Sequence, residues 1–157
     1  MGENGSMGAQ KILLFLDFDG VMHAVDDPHL FGHEEHLARV LTDFPTVEIV
    51  ISSAWRKTNT LANMKKFFLT DLRARVVGVT PVFRIGEANT SVTPGARYHE
   101  IQRYLAASCD PGRPWIALDD DPVFFPPGCA ELVLCDPKFG FGPGAEVRLR
   151  AALTALI

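Results

Sequence analysis

A chain of 157 residues, 47% hydrophobic and 22% charged, is of ordinary size for one domain and can bury a core without disulfides or a structural metal. This balance excludes a disordered or low-complexity protein, and a formal net charge of −4 argues against nucleic-acid binding by bulk charge. No apolar run is long enough to cross a membrane. Three cysteines without a CxxC pair indicate free thiols in a reducing compartment.

Residues 1–10, MGENGSMGAQ, are small and polar and lack the apolar core of a signal peptide. They are expected to be a flexible tail or an appended remnant, and a cytoplasmic setting is expected. Residues 11–157 then read as a single domain.

The first element is a strand, Lys11–Asp17, in which five apolar residues run into Asp17-Phe18-Asp19-Gly20. Such a run suits a strand buried on both faces of a parallel sheet. An irregular stretch over 20–32 precedes a helix at Glu34–Phe44, where Leu37, Val40, Leu41 and Phe44 share a face. A second strand, Val47–Ile51, ends at Ser52-Ser53-Ala54-Trp55-Arg56. A helix follows at Thr60–Leu69, then a short strand at Arg75–Val79 and a loop over Thr80–Thr93.

The third helix is predicted over Pro94–Ala107, with Thr93 as its cap. The fourth strand, Trp115–Leu118, ends in Asp119-Asp120-Asp121. A loop, a fifth strand at Glu131–Cys135, a Gly/Pro-rich turn and a last helix at Ala145–Leu156 complete the chain. Strands alternate with helices, which predicts a parallel five-stranded sheet covered on both faces. Right-handed crossovers then put every strand's carboxyl end on one edge.

Asp17, Asp19, Ser52, Asp119 and Asp120 would meet at that edge. Clustered carboxylates repel one another and shift each other's pKa. An oxygen-only donor set of this kind favours a hard cation, Mg²⁺ over Zn²⁺.

LFLDFDGV resembles the first motif of the haloacid-dehalogenase-like (HAD) phosphohydrolases, an apolar strand followed by DxDG. IVISS is similar to their second motif and IALDD to their fourth, in the right order. The resemblance implies a three-layer α/β/α Rossmann-like core and a phosphatase that works through an aspartyl-phosphate. It implies Asp17 as nucleophile, Asp19 as general acid and then base, and Ser52 as a phosphoryl-binding hydroxyl, with Ser53 its rival. Metal ligands would be the Asp17 side chain, the Asp19 backbone carbonyl and Asp120, with Asp119 acting through a water. Gly20 belongs to the first motif and is expected beside the substrate.

The third motif of the family is one basic residue, usually a lysine opening the helix before the fourth strand. No lysine lies between Lys66 and Lys138. Arg97 is the best match, with Lys65 and Lys66 as rivals. SSAWR resembles a subgroup of small HAD domains associated in part with RNA-repair proteins. Arg56 would then bind a second anionic group of the substrate, beside Trp55. His23 reads as a satisfied loop histidine, and His29, His33 and His36 as surface residues.

HAD enzymes insert a cap after the first motif or between the second and third, and neither stretch here has room for a full cap domain. The site therefore reads as open, which admits a large phosphorylated substrate, a phosphoprotein or a nucleic-acid end. Phe31, or Val82-Phe83 in the long loop, would serve as a small flap. Three readings stay open: a Mg²⁺-dependent phosphatase, a phosphatase of nucleic-acid ends, and a non-catalytic HAD-like binding module.

Overall fold

The computed structural model describes residues 10–82 and 94–157. The expected tail, the Thr93 cap and Phe83 of the suggested flap fall outside them, apart from Gln10. Five strands form one sheet: Ile12–Leu16 (β1), Val47–Ile51 (β2), Val76–Val79 (β3), Trp115–Asp119 (β4) and Leu132–Leu134 (β5). Their order is β3-β2-β1-β4-β5, and every pairing is parallel. β1 is buried at all five positions because it is central in the sheet and covered on both faces.

The strands' period of two divides the core. Ile12, Leu14 and Leu16 face the helices Glu34–Thr42 (α1), Leu61–Lys65 (α2), Leu72–Arg75 (α3) and Pro143–Thr154 (α5). Leu13 and Phe15 face the opposite layer, where Ile101 and Leu105 of Ala96–Ala107 (α4) pack with Trp115 and Phe125. The result is the three-layer α/β/α architecture. Burying each such side chain contributes about 1.5–3 kcal/mol.

The predicted helix over Thr60–Leu69 is broken. It closes after Lys65 with tight i→i−3 bonds from Lys66, Phe67 and Phe68. The buried Glu34 carboxylate then accepts hydrogen bonds from the amides of Leu69 and Thr70 and from the Thr70 hydroxyl. A carboxylate 35 residues away thus takes amides that would otherwise continue the helix.

Arg75 ends α3 rather than starting β3, and its guanidinium donates to the carbonyls of Leu41, Phe44 and Val47. The stretch after Ser53 is a 3₁₀ turn, Ala54–Lys57, and Pro122–Phe124 forms another. No described helix is long and apolar enough to cross a membrane.

Candidate active site

Register brings the predicted residues together. Leu16 of β1 lies opposite Ile51 of β2 and Leu118 of β4. The next residue on each strand is therefore Asp17, Ser52 and Asp119, at one level of the carboxyl edge. Two backbone hydrogen bonds pin this row: Asp17 N–H to the Leu118 carbonyl at 3.1 Å, and Ser52 N–H to the Leu16 carbonyl at 3.0 Å. The strand order also reverses at β1, which opens the crevice where open α/β sheets take ligands.

Asp17, Asp119 and Asp120 offer carboxylate oxygens that all lie within 4.8 Å of one another. Asp17 and Asp119 are buried. Burial, and then the charge of Asp119, push the Asp17 carboxyl well above the usual carboxylate range, although Arg97 works in the opposite direction. Burial likewise raises Asp119 despite its pairing with Arg97.

Arg97 sits in the first turn of α4 and is buried. One terminal nitrogen lies 2.7 Å from Asp119 Oδ2 and 3.4 Å from Asp17 Oδ1. Its guanidinium carbon is 4.8 Å from the centre of the Phe124 ring. Burial opposes the positive charge, but Asp119 and Asp17 outweigh it and raise the arginine. The buried Nε has no hydrogen-bond partner among the described residues. Lys65 and Lys66 lie at the end of α2 and its cap, and among the described residues the cation paired with Asp17 is Arg97.

Asp119 is already engaged. One oxygen takes Arg97, and the other accepts the backbone N–H groups of Asp120 and Asp121. Gly20 is a backbone device. Its φ is +76°, and a Cβ there would lie 2.2 Å from Asp120 Oδ2. The glycine turns the chain after Asp19 and leaves room for the Asp120 carboxylate.

The family model for the HAD domain in Swiss Army Knife RNA repair proteins matches residues 13–143. The chain belongs to this HAD family. No curated protein and no solved structure matches it.

The donor set of this HAD domain fits a hard cation. Three carboxylates converge, two of them are desolvated and raised, and Gly20 keeps Asp120 close to Asp17. A cleft of about 550 Å³ opens beside Asp120, lined by Leu134, Cys135, Asp136, Pro137 and Arg148.

Three expectations need correction. Arg56 does not face a substrate anion. Its side chain is only 2% exposed and pairs with Glu100. It also donates to the carbonyls of Ser52, Ser53, Thr80 and Pro81. Its donors are consumed in tying the loop after β2 to the loop after β3.

Ser53 caps the 3₁₀ turn, its hydroxyl accepting the Trp55 N–H at 3.3 Å. Ser52 is the buried hydroxyl-bearing residue at the level of Asp17. Phe31 is no flap, since it is buried among the rings of Phe18, Trp55, Phe67 and Phe68.

His23 is the satisfied loop histidine expected and His29 is exposed, whereas His33 and His36 are half-buried with partners of their own. His33 reaches the Phe139 carbonyl at 2.6 Å, and His36 pairs with Glu146 of α5. His23 contacts the Asp19 carboxylate from one side and Trp55 from the other. The only signal in the sequence was proximity to DFDG, which does not separate a partner from a bystander.

Proposed function

We propose that the chain is a Mg²⁺-dependent phosphohydrolase that acts on a phosphate monoester through an aspartyl-phosphate at Asp17. The observation that carries this reading is the row formed by Asp17, Ser52 and Asp119, with Arg97 bridging the two acids. In this scheme an Asp17 oxygen attacks phosphorus. The Asp17–phosphorus bond forms as the bond to the leaving oxygen breaks.

Asp19 gives that oxygen a proton and later takes one from the water that hydrolyses the intermediate. Ser52 and Arg97 hold the phosphoryl oxygens and offset developing negative charge. The Asp17 and Asp120 side chains and the Asp19 carbonyl would hold Mg²⁺. Asp119, committed to Arg97 and two amides, would act through a water. When bound, Mg²⁺ supplies charge neutralisation between the anionic nucleophile and the anionic substrate.

Burial beside other acids favours the protonated form of Asp17, so the nucleophile depends on Arg97 and a bound cation to hold it ionised. We read residues 11–157 as one catalytic unit. Its free cysteines suit the reducing conditions of cytoplasm.

A phosphatase of nucleic-acid ends is the second reading, favoured by the match to a HAD domain of RNA repair proteins. The test is turnover with Mg²⁺ on a panel of small phosphate esters and of oligonucleotides phosphorylated at either end, with Asp17→Asn as control. Activity in the wild type, lost on chelation and in Asp17→Asn, is expected. Preference for oligonucleotides would select the second reading. Absence of turnover on the whole panel would select a binding module.

A further inference from the structure

We propose that His23 and Trp55 are positioning residues that hold the Asp19 carboxylate in place for proton transfer. The proposal rests on the reading of Asp19 as acid and base given above. The Asp19 side chain is 53% exposed, so by itself it would sample several rotamers in water. Both of its oxygens are nevertheless held. The Trp55 indole N–H donates to one at 2.8 Å, and His23 Nε2 contacts the other at 2.9 Å.

The direction of the histidine bond follows from its other nitrogen. The Phe31 backbone N–H donates to His23 Nδ1 at 3.2 Å, so Nδ1 carries no proton. A neutral ring then has its proton on Nε2 and donates to Asp19. Two N–H donors, one on each oxygen, fix the orientation of the carboxylate.

Each donor is anchored in turn. The His23 side chain is 1% exposed. Trp55 packs edge-on against Phe18 and Phe67. Phe31 has φ +61°, in the left-handed region that a bulky side chain rarely adopts. Its ring is wedged among Phe18, Phe67 and Phe68, which holds that backbone in place and keeps its N–H on His23. A chain of contacts thus runs from an aromatic cluster through a strained residue and a buried ring to a solvent-facing carboxylate. Proton transfer depends steeply on such alignment.

The test is kcat/KM over a series of aryl phosphates, from para-nitrophenyl phosphate to phenyl phosphate, with Mg²⁺. A leaving group that is a weaker acid needs protonation more. Asp19→Asn should therefore lose at least about tenfold more on phenyl phosphate than on para-nitrophenyl phosphate. Trp55→Phe, which keeps a ring but removes the N–H, and His23→Leu should steepen the series in the same direction. His23→Gln, whose amide nitrogen can occupy the Nε2 position, should recover most of the His23→Leu loss.

Equal losses across the series in Trp55→Phe and His23→Leu, alongside a steep Asp19→Asn, would overturn the proposal and leave the phosphatase reading standing. A flat Asp19→Asn series would remove the acid role and the proposal with it. An active Asp17→Asn would instead remove the phosphatase reading itself. Should His23→Leu fail to fold, Trp55→Phe decides the question, with its thermal unfolding recorded beside its kinetics.

Discussion

At the scale of single residues, the informative quantity is the energy stored in charges held together. Asp17 and Asp119 are both raised by burial, so the native state holds their protons more tightly than the unfolded chain does. Their penalty is absent below the unfolded carboxylate range, near about pH 4. It grows as pH rises through the raised native values. Metal-free protein should therefore lose stability from mildly acidic toward neutral pH. Asp17→Asn should flatten that slope and raise the neutral-pH Tm by about 3 °C per kcal/mol of repulsion removed. The same variant should lose at least about 10³-fold in kcat. Calorimetry against pH and turnover on one sample separate these effects.

Arg97 behaves oppositely. Removing it as Arg97→Met leaves Asp119 buried without its cation and should cost about 3–5 kcal/mol in urea unfolding.

At the scale of elements, the loop after β2 depends on a pair the sequence did not announce. Arg56 and Glu100 lie 44 positions apart, and their side chains are 2% and 3% exposed. Glu100→Ala should destabilise by about 3–5 kcal/mol and disorder the carbonyls around Ser52. The double variant Arg56→Met/Glu100→Leu should recover part of that loss, as a two-by-two cycle of unfolding energies would show.

What was legible in the sequence follows the same division. Apolar runs ending in Asp or Ser, interrupted only by Glu48 in β2, disclosed β1, β2 and β4 and the row of groups at their ends, because a buried parallel strand writes itself as such a run. Arg97 was legible by its place at the start of α4. The break after Lys65 was not, since its cause is Glu34 capping from a distant helix. Arg56 was misread because an arginine beside a motif looks the same whether it faces solvent or a buried glutamate. The task of His23 depends on the left-handed Phe31, which no local pattern encodes.

For the whole molecule, filling the acid cluster should count as folding energy. A cation at a hundred times its Kd adds about 2.7 kcal/mol. Melting in Mg²⁺ against melting in chelator should show a higher Tm with the ion, and Asp120→Ala should abolish the difference. Equal melting curves for the wild type would mean that the cluster does not select the ion.

The strand order has a consequence for how the molecule opens. β5 has three residues and sits at one margin; β3 sits at the other, where the register slips between Ile49 and Val50. Amide exchange there should proceed by local fluctuation, while β1 amides should exchange only through global unfolding. Asp17, Ser52 and Asp119 all ride on β1, β2 and β4. A molecule that has shed either margin would still present them at one level, so the chemistry is carried by the part of the protein that lets go last.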